Sequence, residues 1–203
     1  AHQGIRSLLS VMHPANKVQM WFEPGSTMMV PKAIEIAKEF NLKDSVLVLT
    51  GDEWRRPDLA LSPKYDYILP LHFPAIPKLS DEEDWEQISL EQFRSWNHAP
   101  EMAKLVARKS KSLSFTTSGC SSDEFHKNLL KSIYRGLTEQ EALAALTINP
   151  AEICGISAFT GTLDAGKMAN FFIINGETYF TEKPQLHSTW IAGNAELYNI
   201  QPK

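Results

Sequence analysis

Apolar residues recur along this chain with two different spacings. Up to about residue 135, short runs of β-branched and aromatic residues alternate with stretches of helical period. KVQMWF (17–22), SVLVLTG (45–51), YDYILPL (65–71) and SLSFTT (112–117) read as strands. The second and third are nearly continuous apolar runs, the pattern of strands buried on both faces. Between them, residues 28–40 carry Ile34, Ala37 and Phe40 on one stripe, and Asn41 is suited to close that helix. Residues 53–62 predict a short helix, with Asp52-Glu53 as its cap. Ser89 with Gln92, and Thr138 with Glu141, have capping-box spacing. Further helices are predicted at about 99–109, at 124–135 behind Ser122 or Asp123, and over EQEALAALTI, with Gly136 as a stop. An N-terminal helix over 1–13, with Ile5, Leu8, Leu9 and Met12 at helical spacing, ends at Pro14.

The second spacing begins at Gly161. GTLDAGKMANFFIINGETYF and STWIAGNAELYNI carry no helical period, and their glycines punctuate short strands, so hairpins of a small β layer are expected. The alternating part implies parallel strands with right-handed crossovers. Four strands cannot close a parallel barrel, which usually has eight. A glycine-rich phosphate turn after the first strand is missing, so neither half a barrel nor an open sheet is fixed by pattern alone. The abrupt helical start favours the C-terminal part of a longer protein.

Composition excludes some functions. With 43% hydrophobic and 10% aromatic residues, the chain of 203 residues can build a core. A net charge of −4, with basic residues spread along the chain, argues against nucleic acid as partner. Asp81-Glu82-Glu83-Asp84, in a proline-interrupted excursion, reads as a solvated face. No apolar run approaches the roughly 20 residues that cross a bilayer. The N-terminus lacks the basic and apolar regions of a signal peptide, which leaves the compartment open. Cys120 and Cys154 have no metal-type spacing and are expected as two buried thiols.

Residues 136–175, GLTEQEALAALTINPAEICGISAFTGTLDAGKMANFFIIN, resemble the C-terminal signature of the amidohydrolase superfamily. A helix is followed by Thr147-Ile148-Asn149-Pro150-Ala151, then Gly155, Gly161-Thr162-Leu163 and Gly166-Lys167 ahead of an apolar strand. Ala169-Asn170 departs from the usual Ala-Asp pair. The nearest look-alikes are the imidazolonepropionase-like proteins. The resemblance implies an α/β fold, the C-terminal half of a (β/α)8 barrel over residues 1–158. The strands of a small composite β-sandwich would follow over 159–203. Residues 18–23, 45–50, 66–71 and 112–117 would be the last four barrel strands.

What the resemblance implies about chemistry can be checked position by position. Family catalysis uses zinc or another divalent metal, which makes hydroxide available near neutral pH, and an Asp at the end of the eighth strand accepts a proton. Histidines are expected after the fifth and sixth strands. The first strand here ends in Glu23, the second in Thr50-Gly51-Asp52, the third in His72, and the fourth in Thr116-Thr117-Ser118-Gly119. Ser118 takes the place of the Asp, and a serine hydroxyl needs an activating partner to act as a base. No metal or cofactor is therefore expected on this chain. Glu23, Asp52, His72 and Thr117 are pocket candidates. Each has a plainer reading: Glu23 as a turn carboxylate, Asp52 as a helix cap, His72 as a packed loop side chain. Cys120 lacks a nucleophile frame. Trp21, Trp54, Trp85 and Trp96 could wall a ligand, or serve core and interface.

Two functions follow from the resemblance. One is the back of a pocket that hydrolyses C–N bonds of cyclic amides or peptides, with the metal-binding half elsewhere. The other is a pseudoenzyme, a binding or scaffold module taking a small molecule or peptide. Exposed strand edges predict a homodimer, or union with a missing N-terminal half.

Overall fold

The computed structural model describes residues 19–74 and 88–197. The helix expected at 1–13, the acidic run at 81–84 and Trp85 lie outside the described residues. The fold is mixed α/β, with a parallel sheet followed by an antiparallel one. In chain order come β1 (Met20–Phe22), α1 (Val30–Glu39), β2 (Ser45–Val48), α2 (Pro57–Ala60), β3 (Asp66–Pro70), α3 (Leu90–His98), α4 (Met102–Lys109) and β4 (Ser112–Thr116). Then follow α5 (Ser122–Tyr134), α6 (Glu139–Leu146), α7 (Ile148–Ile153), β5 (Phe171–Asn175), β6 (Gln185–Ile191) and β7 (Asn194–Leu197).

The four-stranded sheet runs β1-β2-β3-β4, every pair parallel. Parallel neighbours in chain order with right-handed crossovers put every connecting helix on the same face. The register shows the result. Leu47, Tyr67 and Leu113 lie side by side, as do Leu69 and Phe115. These residues join one apolar cluster with Val30, Ile34 and Ala37 of α1, Met102 and Val106 of α4, Leu129 of α5, and Ala142 and Ala145 of α6. The opposite face is different in kind. There Trp21 and Val46 stand beside Asp66 and Ser112, Val48 beside Ile68 and Ser114, and Pro70 beside Thr116. The strands thus divide into a mainly apolar face and a mixed one, and the hydroxyls of the mixed face all lie on β4.

Local signals account for the helix ends. Asn41, at φ 53°, closes α1 as expected, and the Leu42 amide reaches back to the Ala37 carbonyl. Both expected capping boxes form, at Ser89 and Thr138. The cap of α5 is Ser121, not Ser122 or Asp123, because only Ser121 lies three residues before Glu124, whose carboxylate returns to the Ser121 amide. The helix over EQEALAALTI breaks at Thr147, where φ −128° and ψ −80° leave the helical region, and α7 starts afresh. Residues 53–62 form a 3-10 turn, Glu53–Arg55, and the single turn of α2 rather than one helix.

The family-like segment locks α7 against β4. Asn149 donates from Nδ2 to the Leu113 carbonyl at 2.7 Å, on the edge of β4 away from β3. Gly161 has φ 96°, and a Cβ there would stand 2.7 Å from the Cβ of Ala151. Residues 161–170 hold turns rather than the expected strand. Asn170 departs from Asp yet supplies an acceptor, its Oδ1 taking the Ala192 amide at 2.8 Å. Ala192 and Gly193 have φ 49° and 84°, the two positive values that a tight two-residue turn between β6 and β7 requires. The antiparallel sheet runs β5-β6-β7 and meets the first unit through Thr178 on Glu139 and His126 on the Thr181 carbonyl.

Two predictions follow from the core. Gly161→Ala should cost about 2 kcal/mol or more, combining a positive-φ penalty with a clash, and urea denaturation reads it directly. Tyr67 is fully buried, donates to the Ala60 carbonyl and accepts from the Ser62 amide. Burial pushes its phenol well above the ordinary tyrosine value of 10.0. The unfolded chain ionises first, so stability is intact below about pH 10 and falls above it by about 1.4 kcal/mol per pH unit. Tyr67→Phe should flatten that alkaline slope in melting curves recorded from neutral pH upward.

Candidate ligand site at the strand ends

The carboxyl ends of β1 to β4 gather four loops at one edge of the sheet. After β1 comes Glu23, exposed in a turn before Gly25, whose φ is 71°. After β2 the chain turns at Gly51, with φ 96°, close to β3: a Cβ on Gly51 would lie 3.8 Å from the carbonyl oxygens of Pro70 and His72. His72 follows β3 and is exposed. Its ring borders the loop after β4, since a Cβ on Gly119 would be 3.4 Å from its Cγ. The sheet therefore brings His72, Gly51 and Gly119 together. Thr117 and Ser118 are exposed on the β4 loop, and the Ser118 amide donates to Thr116 Oγ1 at 3.2 Å.

Asp52 is not the expected cap: it is exposed and makes no side-chain cap bond. The structural work falls to Glu53, which is fully buried. Its Oε1 accepts from the Thr50 amide and hydroxyl at 2.8 and 2.9 Å, and its Oε2 from the Gly51 amide at 2.9 Å. The readable signal is Thr50-x-x-Glu53, a capping-box spacing one place behind the Asp that drew attention. Glu53 sets the β2 loop beside His72 without reaching the mouth itself.

Other groups at the mouth have limited reactivity. Bonds from the Ser121 amide and hydroxyl hold Glu124 below the usual carboxylate range, with His72 adding a smaller favourable charge effect. Cys120 is partly buried, and burial, then the charge of Glu124, raises its thiol. That is the reverse of an activated nucleophile. Cys154 is exposed, contrary to the expected pair of buried thiols; both are free. Trp54 stacks on His98 with ring centroids 5.5 Å apart, whereas Trp96 meets Phe93 edge-on. Each ring serves its own helix contact.

Among the described residues no group of three or more His, Cys, Asp or Glu side chains comes together to hold an ion. His72 is the one imidazole among the strand-end positions named here, and Ser118 is a neutral hydroxyl. Two cavities, of about 280 and 410 Å³, open at the opposite end of the sheet, around Lys38, Asn41 and Tyr65 and around Asp66, Lys111 and Glu152. We place the candidate site at the mouth on the convergence of the four loops.

Comparison with known proteins identifies the family and the fold. A model of the amidohydrolase family matches residues 7–196, and the chain belongs to that family. No curated protein matches it. Among solved structures, an amidohydrolase from Thermotoga maritima MSB8 superposes with a TM-score of 0.67 at 18% identity, over 96% of this chain and 47% of that one. Another amidohydrolase gives 0.54 at 14% identity, over 85% and 44%. A prolidase complexed with N-methylphosphonate-L-proline gives 0.56 at 13% identity, over 95% and 48%. At these identities the likeness is one of fold. The chain spans about half the length of the structures it matches. No helix among the described residues is long and apolar enough to cross a membrane.

Glu53→Gln would turn an amide group toward backbone donors and should cost about 1–3 kcal/mol. Hydrogen exchange at Thr50 and Gly51 should quicken in the variant, while β3 amides keep their protection.

Proposed function

We propose that this chain is the C-terminal half of an amidohydrolase-type (β/α)8 barrel that works as a binding module. Its mouth takes a small cyclic amide or short peptide without activating water. On this reading residues 1–158 form the barrel part and residues 159–203 the strands of a composite β-sandwich. What supports the reading is the strand-end chemistry: hydroxyls and backbone groups at Thr117, Ser118 and Gly119 follow β4, where the resemblance implies a carboxylate. Glu23 and Asp52, after β1 and β2, are exposed carboxylates, and His72, after β3, is an exposed imidazole beside Gly119. Such a rim can donate to a ligand carbonyl and accept from a ligand N–H, which suits an amide. It offers no base at Ser118 to take a proton from water.

A second reading is favoured by one observation, the half-length match to hydrolase structures. Here the chain is the back wall of a hydrolytic pocket whose metal ligands belong to another half. The two readings separate in one experiment. The purified chain, freed of metal by chelation, is titrated with zinc and with manganese, followed by elemental analysis. It is then tested on a dihydropyrimidine, an imidazolone and a dipeptide, for both thermal shift and turnover. The binding module predicts no stoichiometric metal, no turnover, and a melting-temperature rise with one amide class that Ser118→Ala reduces. Stoichiometric metal or metal-dependent turnover overturns it.

A further inference from the structure

We propose that Asn175 is a site of spontaneous modification by water, and that the isoaspartate it yields loosens the tie between the antiparallel sheet and the rest of the chain. Asn175 is the last residue of β5 and Gly176 follows it. The Gly176 backbone nitrogen attacks Asn175 Cγ. A C–N bond forms, the Cγ–Nδ2 bond breaks, and ammonia leaves with the proton that the backbone nitrogen carried. Water then opens the resulting cyclic imide. Cleavage at Cγ gives aspartate. Cleavage at the Asn175 carbonyl carbon gives isoaspartate, whose main chain runs through the former side chain and is one carbon longer.

The fold leaves both reacting groups free. Asn175 and Gly176 are exposed. Among the described residues, no hydrogen bond holds the Asn175 side chain, and the Gly176 amide donates to no carbonyl. Gly176 has no side chain to crowd the attack, its φ is 130°, and the space where a Cβ would stand is open. Asn175 and Gln185 form the terminal pair of the β5–β6 ladder, so fraying of that one pair gives Asn175 the backbone rotation the attack needs. The other described asparagines each lack a condition. Asn149 precedes Pro150, which has no N–H, and the Leu42 amide after Asn41 is bonded to the Ala37 carbonyl. Asn97 and Asn128 lie inside α3 and α5, Asn170 is held through its Oδ1 by the Ala192 amide, and Ala195 after Asn194 is paired within β7.

The position gives the reaction its consequence. Residues 176–184 carry the contacts between the two sheets' units. Thr178 donates to Glu139 at 2.9 Å, and His126 donates to the Thr181 carbonyl at 2.7 Å. Tyr179 meets the His126 and Phe172 rings with centroids 5.1 and 5.2 Å apart, and Phe180 packs against the main core. An extra carbon at the entrance shifts the register of every one of these contacts relative to β5.

The purified chain is incubated in warm, mildly alkaline buffer, beside the same chain unfolded in urea, and sampled over weeks by peptide mapping. Trypsin releases residues 168–203 as one peptide, because Pro184 blocks cleavage after Lys183, so Asn170 and Asn194 serve as controls beside Asn175. Electron-transfer fragmentation distinguishes isoaspartate from aspartate. In the folded chain the amide-to-acid mass gain should fall on Asn175 alone, with isoaspartate the larger product. Its rate should lie within about tenfold of the rate in urea, since fraying at a strand end costs little. Asn175→Gln, whose longer side chain closes the ring poorly, should stay homogeneous. An Asn175 that persists in the folded chain while it converts in urea overturns the site, as does equal conversion at Asn170 and Asn194. Hydrogen exchange across residues 176–184 then compares the aged chain, resolved by anion exchange, with its parent and with Asn175→Asp, which carries the new charge on an ordinary backbone. Faster exchange in the aged chain alone is expected. Exchange that is unchanged in the aged chain, or equally raised in Asn175→Asp, overturns the loosening by the lengthened backbone.

Discussion

The constraint on which this fold depends is the one-sidedness of its parallel sheet. Four neighbouring strands in chain order, each reached by a right-handed crossover, can receive helices on one face alone. Leu47, Tyr67, Leu69 and Leu113 fill that face and anchor α1, α4, α5 and α6. The other face is left to a different economy of contacts, with hydroxyls along β4 and small aliphatics along β2. One-sidedness also brings all four carboxyl ends to one rim, so fold and candidate site have the same cause.

The rim is fixed by groups that point away from it. Glu53 binds the β2 turn from beneath, and the Ser121–Glu124 box orders the β4 loop from behind. Asn128 of α5 donates to the Leu71 carbonyl just before His72. The loops after β2, β3 and β4 are thus held from their core side, while Asp52, Thr117 and Ser118 face solvent. Exposed hydroxyls and carboxylates on rigid supports are what a hydrogen-bonding site needs.

Much of this was legible beforehand. The four strands were marked by their apolar and β-branched runs, and two capping boxes by serine or threonine three places ahead of glutamine or glutamate. The αL closure at Asn41 was readable because few residues tolerate that conformation. Misreadings came where several residues compete for one role. Ser121, Ser122 and Asp123 are all good caps by type, and only the position of Glu124 decides among them. Asp52 outshone Glu53 for the same reason: cap preference is local, while burial of a glutamate depends on tertiary packing that no short window shows. The division of β2 and β3 into two unlike faces was hidden because leucine, valine and isoleucine look the same on either side. It emerges only once the register aligns Val48 with Ser114.

Asn149, Ala151 and Gly161 form a single mechanical joint. The asparagine amide grips β4, the alanine methyl leaves room for nothing but a glycine opposite, and that glycine adopts a backbone angle other residues resist. Drift at one of the three positions is therefore policed by the other two, whatever happens at the rim. A lineage can lose or exchange its strand-end chemistry while this joint stays fixed. In such a lineage the joint marks descent more durably than it marks function.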